Sequence, residues 1–138
     1  MVHRDLIMDE IQRMGNVLRM ILGRFLNLEP DDNVNIAFHD ANKHFSEQFN
    51  IHIDDLLTLN SDDLRLFVDT RHLTAGHCDQ IAQILYITSS KEELVDQSKK
   101  QRYLSKAGEF LNIAEQKTDI LSLDRMDLKS RIAQQLNK

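Results

Sequence analysis

Ile7-Met8-Asp9-Glu10-Ile11-Gln12-Arg13-Met14-Gly15-Asn16-Val17-Leu18-Arg19-Met20-Ile21-Leu22-Gly23-Arg24-Phe25-Leu26-Asn27-Leu28 is the stretch that decides the fold. Within it Ile7, Ile11, Met14, Leu18, Ile21, Phe25 and Leu28 recur alternately four and three residues apart, the period at which side chains line one face of an α-helix. Opposite them lie Asp9, Gln12, Arg13, Asn16, Arg19, Gly23 and Asn27, so the pattern is amphipathic throughout. It predicts a helix from about Asp5 to Leu28 whose apolar seam must be sheltered, either as core of this chain or as an interface with another. Leu6, Val17 and Leu22 widen the stripe, which suits a globular docking face better than a narrow two-stranded coiled coil. Gly15 and Gly23 lower helix propensity by roughly 1 kcal/mol each against Ala, a loss that makes sense where another backbone approaches.

Downstream the chain reads as further helices. Pro30, Asp31 and Asp32 end the first and open a second, about Asn33 to Phe49, with Val34, Phe38, Ala41, Phe45 and Phe49 on one face. The short joint predicts an antiparallel pair. Ile53-Asp54-Asp55-Leu56-Leu57 and Ser61-Asp62-Asp63-Leu64-Arg65-Leu66 predict two short helical pieces, each with carboxylates at its positive end, and Leu64, Phe67 and Val68 facing the core. Another helix follows Thr74, with Cys78, Ile81, Ala82 and Leu85 on one side. Ser90-Lys91-Glu92-Glu93 matches a capping box and predicts a new helix there, running to about Lys117 or breaking near Ser98–Gln101. The last helix, about Ser122 to Leu136, spaces Leu128, Ile132 and Leu136 for burial. The reading is all-α: one domain, 1–138, with an N-terminal helical pair (1–50) and short helices plus antiparallel helical hairpins (51–138).

Composition agrees. Among 138 residues 41% are hydrophobic and 28% charged, with one proline and four glycines, too little punctuation for a turn-rich β architecture. A single cysteine forms no intramolecular disulfide. Met1-Val2-His3-Arg4-Asp5 lacks a secretory apolar core, and no run approaches the roughly 18 apolar residues of a membrane helix, so the expected address is the cytoplasm. Residues 1–80 carry net −7 and residues 81–138 net +2, an asymmetry that could help one half dock on the other or one copy on the next.

Ala107, Leu111 and Ala114 resemble the small–large–small spacing of the second helix of a tetratricopeptide repeat, although Asp119 stands where that repeat commonly ends in proline. Asp5-Leu6-Ile7, Ile11, Gly15, Val17-Leu18 and Ile21-Leu22-Gly23, taken with Leu123-Asp124-Arg125, resemble a bacterial family of small uncharacterised helical proteins that begin with a long helix and end in tetratricopeptide-like helices. That resemblance implies a fold and transfers no active site.

Chemical motifs are sparse. His39/His44 and His72/His77 are each five apart, about 140° around a helix, and converge poorly on one ion; Asp40 and His44 do share a face. Asp31, Asn33 and Asn35 imitate a calcium loop until Ile36 stands where glycine is needed. His77 and Cys78 point about 100° apart, so Cys78 reads as core rather than nucleophile. Lys99, Lys100, Arg102 and Lys106 surround Tyr103, a combination that could grip nucleic acid, yet Glu92, Glu93 and Asp96 precede it and a solvated helix face is the favoured reading. No phosphate loop, nucleophile elbow or dinucleotide fingerprint is present. The expectation is therefore a non-catalytic module without cofactor or metal, binding a protein partner or itself as a homodimer, with neither membrane nor nucleic acid favoured. The rivals are an enzyme assembled from Asp40, His44, His72 and His77, or a nucleic-acid regulator using the basic cluster.

Overall fold

The computed structural model describes residues 2–138, with side chains from Leu6 onward. The opening residues on which the leader reading and the Asp5 of the family resemblance rest lie outside the described side chains. Six α-helices and one 3-10 helix follow in order: α1 (Val2–Leu26), α2 (Val34–Phe49), the 3-10 helix (Asp54–Thr58), α3 (Ser61–Thr70), α4 (Ala75–Ser89), α5 (Gln97–Lys117) and α6 (Leu123–Leu136). Among the described residues there is no strand.

Each α-helix from α2 onward begins where a short polar side chain accepts an otherwise unpaired backbone N–H, whereas the 3-10 helix starts at Ile53 with no such cap. Asn33 accepts from Ile36, and Asn60 from Asp63. Thr74 accepts from His77, Asp96 from Lys99, and Ser122 from Arg125. Asp54 and Asp55 occupy the first turn of the 3-10 helix, and Asp62 and Asp63 that of α3, next to the positive end of each helix. α2 closes on Asn50 in the left-handed region at φ 59°, its N–H returning to the Ser46 carbonyl at 2.8 Å.

Two boundaries depart from the sequence expectation. α1 ends at Leu26 rather than Leu28, because Glu29 donates to Asp32 in a turn ahead of α2. More significantly, Ser90-Lys91-Glu92-Glu93 starts no helix. Ser90 instead closes α4, its N–H bonded to Ile87 and its hydroxyl donating to the same carbonyl. The real cap is Asp96, and the helix it opens runs unbroken to Lys117. Among the described residues a reciprocal capping box is formed instead by Thr74 and His77.

α4 and α5 form the most extensive helix pairing, and α4 is the centre of the molecule, touching α1 and α6 as well. Cys78, Ile81, Ala82 and Leu85 are buried, as are Leu104, Ala107, Leu111 and Ala114 of α5. The seam of α1 turns inward: Met14, Leu18, Ile21 and Phe25 are buried, and Leu22 with them, while Ile7, Ile11 and Leu28 are half-buried. Each fully buried Leu or Ile stabilises by roughly 1.5–3 kcal/mol relative to exposure. α2 joins through Phe38, whose ring centroid is 6.4 Å from that of Phe25, and through Arg24 paired with Asp40. Phe45, Phe49, Phe67 and Phe110 continue as a series of ring contacts at 4.6, 6.4 and 6.4 Å, carrying the core from α2 across α3 to α5. Leu136 departs from its stripe: Leu128 and Ile132 are buried, but the last leucine is 36% exposed where α6 runs out past its support.

Candidate functional site

A cleft of about 570 Å³ opens over α4 between α1 and α6. His77, Gln80 and Gln83 form its floor. Ile11, Gln12, Gly15 and Arg19 make the α1 wall, and Ser122, Asp124, Arg125 and Leu128 the α6 wall. Gln83, Asp124 and Leu128 also line a second hollow of about 340 Å³ with Leu26, Tyr86 and Ile87, so the two form one groove, polar at its start and apolar at its end. Residue numbers rise together along all three helices: Ile11 meets His77 at one end, and Leu26 shares the other with Tyr86 and Ile87.

Two buried polar groups set this geometry. Arg125 is 7% exposed and donates through Nε and Nη2 to the two oxygens of Asp79, each at 2.8 Å, a planar two-bond pair that ties α6 to α4. Those hydrogen bonds raise the arginine pKa further, against the opposing effect of burial. His77 is 5% exposed and links three segments. Its Nδ1 accepts the Thr74 N–H at 3.0 Å, and its Nε2 lies 2.9 Å from the Ile11 carbonyl. An amide N–H only donates and a carbonyl only accepts, so the ring is the neutral tautomer protonated at Nε2. Burial lowers its pKa; the Ile11 carbonyl pulls the other way, and the Arg19 charge adds to the lowering. No other backbone approaches Gly15; the His77 ring lies there instead, and a Cβ at Gly15 would meet its Nε2 at 3.5 Å, an ordinary contact that does not require glycine. At Gly23 nothing lies within 4 Å, and the structure gives no reason for that glycine.

Most of the remaining candidates are dispersed. His44 Nε2 stands 3.7 Å from Asp40, a loose half-buried pair, while His72 is exposed in the left-handed region at φ 56°. Among the described residues no three His, Cys, Asp or Glu side chains converge as metal ligands would. Asp40, His44, His72 and His77 do not assemble. Cys78 points into the core, where burial pushes its thiol up to about 12, far from nucleophilic. Neither ring nitrogen of His77 is free to act as a base, and Thr74 and Ser122 spend their hydroxyl oxygens as helix caps.

The basic cluster is not the solvated face its sequence suggested. Tyr103 is buried, and burial raises its phenol pKa. Lys106 is buried too, reaching the Leu59 carbonyl at 2.5 Å and Glu109 at 2.6 Å. Lys99 sits 3.8 Å from Asp54, whose Oδ1 is buried without a hydrogen bond among the described residues. Among the described residues, Lys100 and Arg102 of this cluster have no carboxylate partner, and with Tyr103 buried the cluster presents no ring for a base to stack on.

What the groove offers is recognition. Gln12, Gln80 and Gln83 make no side-chain hydrogen bond among the described residues, and neither Arg19 on one wall nor Asp124 on the other has an oppositely charged partner; Arg19 donates only to Asn16 of its own helix. Among the described residues no helix is long and apolar enough to cross a membrane. No protein-family model, curated protein or solved structure matches the chain.

Proposed function

We propose that the protein is a non-catalytic interaction module that takes an extended segment of a partner protein along the floor of α4. The observation that carries this is the composition of the groove. Each free glutamine carboxamide offers two N–H donors and one acceptor, the complement of a peptide backbone, and the hollow around Leu26, Tyr86 and Ile87 receives one apolar side chain. Arg19 and Asp124 favour a segment bearing both signs of charge. On the same reading α4, α5 and α6 are tetratricopeptide-like hairpins, with the buried Ala107, Leu111 and Ala114 as their close-packing stripe, and the chain belongs with the small bacterial helical proteins it resembles, acting in the cytoplasm.

The test is selection of random displayed peptides on the purified chain, followed by affinity measurement and NMR mapping. Selected peptides should shift resonances of Gln80, Gln83 and Tyr86, and weaken by about tenfold or more, some 1.4 kcal/mol, against Gln80→Ala/Gln83→Ala. No enrichment, or shifts confined to other faces, would overturn the reading. Self-association is the second reading. It is favoured by Ile120, Leu121, Leu123 and Met126, which stay exposed around the start of α6. Sedimentation of wild type against Leu121→Asp decides it: a monomer in both removes the homodimer.

A further inference from the structure

Ahead of Met14, the side chains of α1 are weakly anchored. Ile7 and Ile11 are half-buried, and Leu6 and Met8 are each 61% exposed. Among the described residues one side-chain hydrogen bond joins α1 to α4: His77 Nε2–H to the Ile11 carbonyl. The same ring closes the capping box of α4 through Nδ1. We propose that His77 is an acid-sensitive latch between α1 and α4, and that protonation at Nδ1 uncouples the two helices. This goes beyond the peptide-binding reading and does not depend on it.

A proton on Nδ1 sets one N–H against another, that of Thr74, so the contact becomes repulsive and the ring must move. Nε2 keeps its hydrogen, and the Ile11 carbonyl favours the charged ring, so the break falls first on the Thr74 side. A ring swung away from Thr74 leaves the start of α4 with one cap bond instead of two. It also leaves the place beside Gly15 from which it held α1.

The surrounding charges are few. Arg19 from α1 disfavours a second positive charge beside it. Asp79 of α4 is already balanced by Arg125 of α6, and Asp124 stands exposed at the rim of α6. Burial acts in the same direction as Arg19, so the folded ring holds its proton less tightly than the ordinary value of 6.5. The unfolded chain therefore binds more protons between the two values. The contribution of His77 is full above about pH 6.5, is lost as pH falls through the interval below, and is gone beneath the folded value.

Amide hydrogen exchange on the full chain, corrected for the intrinsic pH dependence of exchange, tests the latch. Between about pH 7.5 and pH 5, protection should fall about tenfold or more at Thr74 and at residues 11–15 while α5 amides hold, and His77→Gln should abolish the difference. Uniform loss across α1 and α5, or no loss at Thr74, would overturn the proposal. Should His77→Gln fail to fold, ring nitrogen shifts of wild type decide. A bare Nδ1 at neutral pH, with a midpoint below 6.5 that coincides with the Thr74 amide change, supports the latch; an Nδ1–H tautomer or a midpoint at or above 6.5 overturns it.

Discussion

Leu18→Ala is the sharpest test of how the first helix is sheltered. Leu18 is 0% exposed at the middle of the seam, with Met14 and Ile21 buried on either side. Truncation removes three carbon atoms, about 2–2.5 kcal/mol at roughly 0.8 kcal/mol per methylene. Because α1 is held against both α4 and α2, the site collapses only in part, and the residual cavity brings the total to about 3–4 kcal/mol. Domains of this size are commonly stable by about 5–15 kcal/mol, so the variant stays folded but loses a large share. Urea unfolding followed by circular dichroism, at two protein concentrations about tenfold apart, should show a lower midpoint, an unchanged slope and no dependence on concentration. Met8→Ala, on a side chain 61% exposed, should shift stability by less than about 0.5 kcal/mol. A loss below about 1 kcal/mol for Leu18→Ala, or a wild-type midpoint that climbs with concentration, would refute the reasoning. The seam would then be closed between chains rather than within one.

Cys78 should resist alkylation at about pH 8 in the folded chain and react freely in denaturant, since burial holds the thiol protonated; native labelling within about tenfold of the denatured rate would contradict this. Asp96→Ala should cost about 1 kcal/mol in thermal unfolding through loss of the α5 cap, whereas Glu93→Ala should be nearly neutral. The reverse order would restore the capping box that the sequence suggested at Ser90–Glu93.

Periodicity made the first two helices and the α5 stripe legible, because burial of Leu18, Phe45 or Leu111 depends on neighbours three and four residues away. Capping was harder. Ser90 and Asp96 are both plausible starts in a polar run, and what separates them is whether Ser90 is already engaged as the end of α4. His77 went unread as a cap because a capping box ordinarily places Glu or Gln at that position. The groove itself was not legible at all. Its defining contacts join Ile11 to His77 and Asp79 to Arg125, 66 and 46 residues apart, and no local spacing encodes them. Leu136 shows the opposite error, a correct period carried one turn past the neighbour that would cover it.

The phenylalanine series has a bearing on how this chain can be divided. Phe45 and Phe49 belong to the first fifty residues and Phe67 and Phe110 to the rest, yet they touch in sequence as one run, and Arg71 lies over the Phe67 ring while bonding the Phe49 carbonyl. A gene split or proteolytic nick between them yields fragments with complementary unsatisfied edges, each sticky alone and suited to re-forming the whole when mixed. Recombination that swaps the front of such a chain must bring a matching set of rings behind it, so the two parts are bound to change together.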